Sequence, residues 1–126
     1  MVAGRAFILA HRARPDGGQD LAAYPLDGGE PAPILERFTG VHTSFNRAGT
    51  HAVTDAFHYG EENRGAVLLY ELDGGACEVL CTGSHADTEH TTGSHIHPQW
   101  SRAEDRIFFN MADAGFPRVY AVDLNG

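Results

Sequence analysis

The sequence predicts an all-β protein built from repeated short strands. Apolar and polar residues alternate in short runs along its 126 residues, and few segments show helical periodicity. Asp27-Gly28-Gly29 recurs as Asp73-Gly74-Gly75, each time between two short runs, which is typical of a hairpin with a tight turn. Residues 41–47 (VHTSFNR) also match residues 96–102 (IHPQWSR), and a strand follows each copy. The protein therefore repeats a unit of short strands.

The order of the elements follows from these repeats. Residues 5–36 contain strands two to four of one unit, and residues 40–82 contain all four strands of the next. Residues 83–124 begin with a histidine-rich loop and continue with strands one to three of another unit. Four short strands with a period of about 46 to 55 residues are typical of a β-propeller blade.

Counting the strands predicts one partial β-propeller over residues 1–126, with about two and a half four-stranded antiparallel blades. The incomplete blades are residues 5–36 and 83–124, and the full blade is residues 40–82. Propellers close through rings of roughly four to eight blades, and unpaired strand edges favour association. We therefore expect either a homo-oligomer or a part of a longer propeller.

The net charge of the chain limits the classes of molecule that it is expected to bind. Seventeen acidic and nine basic residues give a formal charge of −8, and no basic run offsets it, which argues against nucleic acid and anionic membranes. The apolar run at residues 6–10 is too short for a secretory core or a membrane span, so we expect a cytoplasmic protein.

Cys77 and Cys81 lie four residues apart in a predicted strand, about 13 Å from each other, and are expected to be free thiols.

Residues 84–98 (SHADTEHTTGSHIHP) hold four of the eight histidines. Neutral imidazole is the commonest metal ligand, so this density suggests a metal site, although a polar surface loop explains it equally well. A residue before proline favours extended backbone, and alternate residues of an extended chain share a face. His95 and His97, which precede Pro98, are therefore predicted to point the same way, about 7 Å apart.

Three segments of the last third resemble the closing blades of oligogalacturonate lyases, which are seven-bladed propellers. These segments are residues 95–101 (HIHPQWS), 105–110 (DRIFFN) and 115–124 (GFPRVYAVDL), and the repeat unit itself resembles the Tol-type propeller repeat. The resemblance implies a manganese-type divalent ion held by three histidines and a glutamine, with His95 and His97 at two of the ligand positions.

The third and fourth ligand positions are assigned by other arguments. The repeat alignment places His42 at the position of His97 in the preceding blade, and inner strands of neighbouring blades converge, so His42 is the predicted third ligand. Where the family has its glutamine this chain has Thr92, and the nearest alternatives are His90 and Gln99. A nitrogen-rich ligand set suits zinc as well, so zinc is the alternative to manganese.

The resemblance implies β-elimination on uronate-containing oligosaccharides, with the ion neutralising the uronate carboxylate, and hence an acidic oligosaccharide as partner. The proton-abstracting residues of the family lie on earlier blades, so no catalytic residue is predicted here. The alternative function is a non-catalytic propeller module for binding or assembly, which the missing blades favour for this polypeptide taken alone.

Several further residues have structural interpretations. Asp55 and Asn110 share a repeat position and are expected to satisfy a turn or backbone group. Trp100 is expected to pack in the core between neighbouring blades rather than against a sugar. His11 and His58 are expected at the surface, beyond the second strands of their blades. His85 and His90 are either outer ligands or exposed loop residues.

Overall fold

The computed structural model describes residues 6–62, 64–83, 95–113 and 116–125, and these ranges contain ten β-strands and no helix. The strands form three antiparallel sheets, which confirms the predicted all-β class. Their bounds are β1 Phe7–Ala13, β2 Gln19–Pro25, β3 Ala32–Leu35, β4 Thr43–Phe45, β5 His51–Tyr59, β6 Arg64–Glu71, β7 Cys77–Gly83, β8 Gln99–Trp100, β9 Arg106–Asp113 and β10 Phe116–Asp123.

The chain divides between Thr39 and Gly40 into two compact units. In the described ranges, no helix has the length and apolar character needed to cross a membrane.

The first unit contains the three-stranded sheet β1-β2-β3. The predicted hairpin between β2 and β3 is present, and its turn depends on Gly28, whose φ of +82° is disfavoured for residues with a Cβ atom. The Asp27 carboxylate accepts a hydrogen bond from the Gly29 amide at 3.2 Å and so closes the turn. His11 lies within β1 rather than beyond a strand, and it is exposed as expected.

The second unit contains the four-stranded sheet β4-β5-β6-β7, which covers the strands predicted within residues 40–82. Residues 52–56 of β5 and 65–68 of β6 are buried without alternation, as expected for central strands covered on both faces. Gly74 and Gly75 form the predicted turn between β6 and β7, with φ angles of +87° and +73°. His58 lies inside β5 and is exposed.

The second unit also contains the sheet β10-β9-β8, where one local prediction is wrong. Residues 95–98 are not part of a strand, and β8 includes only Gln99–Trp100. His97 has a φ of +44°, in the left-handed region, instead of the extended backbone expected before Pro98. Its amide donates to the Asp55 carboxylate at 3.0 Å, and Ile96 and Pro98 are fully buried, so tertiary contacts override the local preference.

One hydrophobic core joins the two sheets of the second unit. Trp100 packs against this core, and its indole N–H donates to the Ser44 carbonyl at 3.2 Å, as expected for a packing residue. Cys77 and Cys81 are free, as predicted. The buried members of the core are Val53, Val67, Ile96, Ile107, Phe109 and Met111.

Candidate metal centre

His42 lies immediately before β4 and is held by the neighbouring strand β5. Its backbone amide donates to Asp55 Oδ1 at 2.8 Å, and its ring Nδ1 lies 2.8 Å from Asp55 Oδ2. The Thr54 hydroxyl donates to the His42 carbonyl at 3.1 Å. The backbone and the ring of this half-buried histidine are therefore both tied to one strand.

His95 and His97 lie on the segment that leads into β8, and strands of both sheets hold this segment. The Asn110 side-chain amide of β9 donates to the His95 carbonyl at 3.2 Å. The Asn110 backbone amide donates to the Ile96 carbonyl at 2.8 Å. Asp55 of β5 accepts the His97 amide, so the segment is anchored on both sides.

The three imidazoles meet at one place. Ring centroids are 3.8 Å apart for His42 and His97, 5.1 Å for His42 and His95, and 5.5 Å for His95 and His97. One ligand nitrogen from each residue lies within 4.8 Å of the other two. Three atoms so placed lie within about 2.8 Å of a common point, against metal–nitrogen bonds of roughly 2.0–2.1 Å.

The rings are nearly parallel, with interplanar angles of 27°, 30° and 14°. The ligands of one ion point their nitrogens at a common centre. Binding would therefore require each ring to turn and its nitrogen to move toward that centre by less than about 1 Å. Changes of this size lie within the range of small side-chain rotations about χ1 and χ2.

The surroundings of His97 favour its neutral imidazole, which is the form that binds a metal. The pKa of His97 is lowered, first because the ring is partly desolvated and then because His42 and His95 would repel its positive charge, whereas the Asp55 carboxylate acts in the opposite direction. Although His97 as a residue is exposed, its ring stacks on His42 and loses water there. Phe57 adds an apolar wall, with its ring centroid 5.9 Å from His42 and 5.3 Å from His95.

The structure brings His42, His95 and His97 together, but not by the extended alternation that the sequence suggested for the last two. Gln99, an alternative fourth ligand, is exposed, and its Oε1 lies 3.5 Å from the Ser44 hydroxyl. The other candidates for outer ligands, His85 and His90, lie outside the described residues, as does Thr92, which stands where the family has its glutamine.

Asp55 is the residue whose role at the site the sequence analysis missed. It was expected to satisfy a backbone group, and it does so, but its carboxylate also contacts the ring of a predicted ligand. A signal for this role is present in the sequence. Asp55 interrupts the otherwise uncharged run AVTDAF, and a charged residue in a buried strand needs a specific partner.

Comparison with known proteins gives one structural likeness. No family model matches the chain, and no curated protein matches it. The structure is similar to that of TolB from Acinetobacter baumannii, with a TM-score of 0.67 and 19% sequence identity. The match covers 94% of this chain but 28% of TolB, so the chain spans little more than a quarter of that protein. At this identity the likeness shows the fold alone: an all-β chain of antiparallel sheets resembling part of a propeller protein.

Proposed function

We propose that this chain is a β-propeller segment that acts as a non-catalytic binding or assembly module and holds a divalent metal ion through His42, His95 and His97. The observation that carries the proposal is the approach of three ligand nitrogens to within 4.8 Å of one another. Support for the propeller comes from the repeat of strands and from the likeness to TolB.

Three neutral imidazoles suit zinc and other late first-row metals, whereas manganese binds nitrogen ligands more weakly in the general order of affinities. Zinc is therefore the ion we propose first, and manganese is the one that the resemblance to lyases implies. Three protein ligands also leave coordination positions open for water or for an oxygen of a bound partner.

Calorimetric titration of the purified chain with Zn²⁺ and with Mn²⁺ tests the site. One ion per chain is expected, and His97→Ala is expected to remove most of the binding because it deletes a ligand. His58→Ala is the matched control, since His58 is an exposed histidine on β5 that is not part of the cluster. Equal binding by the two variants, or no binding by the unaltered chain, would overturn the proposal.

Lyase chemistry is the second candidate, and the open coordination positions favour it. A divalent ion there would neutralise a uronate carboxylate and make the neighbouring C5 proton more acidic. Removal of that proton by a base would form a C4–C5 double bond as the glycosidic C4–O bond breaks, and the glycosidic oxygen would leave as a hydroxyl of the released fragment. Incubation of the metal-loaded chain with oligogalacturonate should then yield an unsaturated product with a new ultraviolet absorbance. Metal binding without this product would leave the non-catalytic module as the function.

A further inference from the structure

We propose that Asp55 is the positioning residue of the three-histidine site: its carboxylate fixes which nitrogen of His42 binds the ion and holds both ligand-bearing segments in place. This inference rests on the metal site proposed above. It concerns a carboxylate that coordinates nothing itself and acts through the residues it contacts.

The contacts of Asp55 determine the protonation of the His42 ring. Oδ1 accepts the His42 amide at 2.8 Å, and Oδ2 accepts the His97 amide at 3.0 Å. Because a backbone amide can only donate, both carboxylate oxygens act as acceptors, as they do in the ionised form. The 2.8 Å contact between Oδ2 and His42 Nδ1 is then satisfied by a hydrogen on Nδ1. The lone pair of His42 is left on Nε2, which becomes the ligand atom.

The burial of Asp55 strengthens its hydrogen bonds to His42 and His97. Its exposed fraction is 0%, so bulk water does not compete for the carboxylate oxygens. A buried carboxylate is costly unless several donors surround it, and here three N–H groups from two segments do so. His97, held in a left-handed conformation, is one of these donors. One side chain therefore sets the distance between the segment before β4 and the segment before β8.

Asp55→Asn reverses this pattern with almost no change in shape. An amide has one accepting oxygen and one donating nitrogen, so in either orientation an NH₂ group faces a backbone amide that also donates. When the NH₂ group takes the place of Oδ2, it faces the His42 ring and donates to Nδ1. The ring hydrogen then moves to Nε2 and blocks the ligand atom. Loss of such a carboxylate partner typically lowers metal affinity about 10- to 100-fold.

The test compares the full chain with Asp55→Asn and with Asp20→Asn. Asp20 is the matched control because it is also a buried aspartate, but it accepts hydrogen bonds from Arg12, Arg14 and the Arg37 amide instead of from the histidines. Nitrogen-15 NMR of the imidazoles in the metal-free chain reports the His42 tautomer, and calorimetry with Zn²⁺ alone reports affinity. We expect Nδ1–H in the unaltered chain and in Asp20→Asn. In Asp55→Asn we expect a roughly 10- to 100-fold loss of Zn²⁺ affinity, with Nε2–H in those molecules whose NH₂ group faces Nδ1 of His42.

The possible outcomes overturn the role of Asp55 and the metal site separately. An Nε2–H tautomer in the unaltered chain overturns the role of Asp55, and this result does not require the variant to fold. Equal Zn²⁺ affinity of Asp55→Asn and the unaltered chain overturns it as well. An unaltered chain that shows Nδ1–H but binds no Zn²⁺ overturns the metal site itself, and the ligand role of His42 with it.

Discussion

At the scale of single residues, two buried aspartates illustrate two uses of a carboxylate. Asp20 lies between Arg12 and Arg14, whose guanidinium groups donate to it at 2.9 and 2.8 Å. The pKa of Asp20 is held well below its ordinary value, first by these side-chain hydrogen bonds and then by the Arg37 amide, against the effect of burial. Asp55 accepts hydrogen bonds from two backbone amides and a ring nitrogen. Asp20 stabilises the fold through charge, whereas Asp55 is available to orient a ligand.

The lowered pKa of Asp20 predicts a loss of stability in acid. Because the folded-state pKa is depressed, the stabilisation is complete above the unfolded-state value of about 3.9 and is lost as pH falls below it toward the folded-state pKa. Asp20→Asn should therefore destabilise the chain near neutral pH, and the gap from the unaltered chain should narrow at about pH 3. Urea unfolding at the two pH values measures this. Asp73→Asn, at an exposed turn carboxylate, serves as the control, and a gap for Asp20→Asn that does not change with pH would contradict the prediction.

The histidine cluster predicts a different pH dependence, in the binding of Zn²⁺. Protonated imidazole cannot coordinate, so affinity should fall as pH drops through about 6.5, with release of protons on binding. The lowered pKa of His97 keeps that ring neutral to a lower pH than an ordinary histidine. Calorimetric titrations at several pH values would detect the change, and an affinity independent of pH between about 5 and 8 would argue against imidazole ligands.

At the scale of the elements, the hairpins depend on glycine only where the backbone requires it. Gly28 has a φ of +82°, and a Cβ added there would meet no atom within 4 Å, whereas Gly18 has no positive φ and an added Cβ would lie 3.5 Å from Arg14 and Asp16. Gly28→Ala should therefore destabilise the chain by about 1 kcal/mol through backbone strain, and Gly18→Ala should have a smaller effect. Chemical unfolding of the two variants provides the comparison. A larger loss of stability for Gly18→Ala than for Gly28→Ala would contradict this prediction, because it would show that the space for a side chain matters more than the backbone conformation.

At the scale of the whole molecule, Ile96 links the core of the second unit to the site. It is fully buried among the hydrophobic side chains of two sheets and lies between two of the three histidines. Ile96→Ala should cost about 2–5 kcal/mol of unfolding free energy because it leaves a cavity in a packed core. Val119→Ala, at a residue that is 73% exposed, should change stability by no more than about 0.5 kcal/mol. Similar losses for both variants in urea unfolding would contradict this view of the core.

The edge strand β10 supports the proposal of assembly. It pairs with β9, and Phe116 and Val119 on it are 70% and 73% exposed. An exposed apolar strand edge favours pairing with another strand, so light scattering should show a mass that rises with concentration. Val119→Lys should weaken this association, whereas Leu26→Lys, at an exposed apolar residue outside the strands, should not. A stable monomer at high concentration would contradict the proposal for this chain alone.

The sequence by itself determined the all-β class, the hairpins at Gly28 and Gly74 and the four strands between residues 40 and 82. These features depend on local causes, namely the alternation of apolar residues and the conformational freedom of glycine in tight turns. The repeat also nominated His42 together with His95 and His97, and the structure brings their rings together. Whether they bind an ion stays a prediction.

Only the tertiary structure decided how these histidines are held. Local rules predicted an extended His97, but its amide bonds to Asp55, which is 42 residues away in the chain, and its backbone turns left-handed. The same carboxylate reaches the ring of His42 across the space between two strands. The charge of Asp55 in an uncharged run indicates that it has a partner, but no local pattern identifies that partner, because the contacts depend on which strands the fold places side by side and on the burial that excludes water between them.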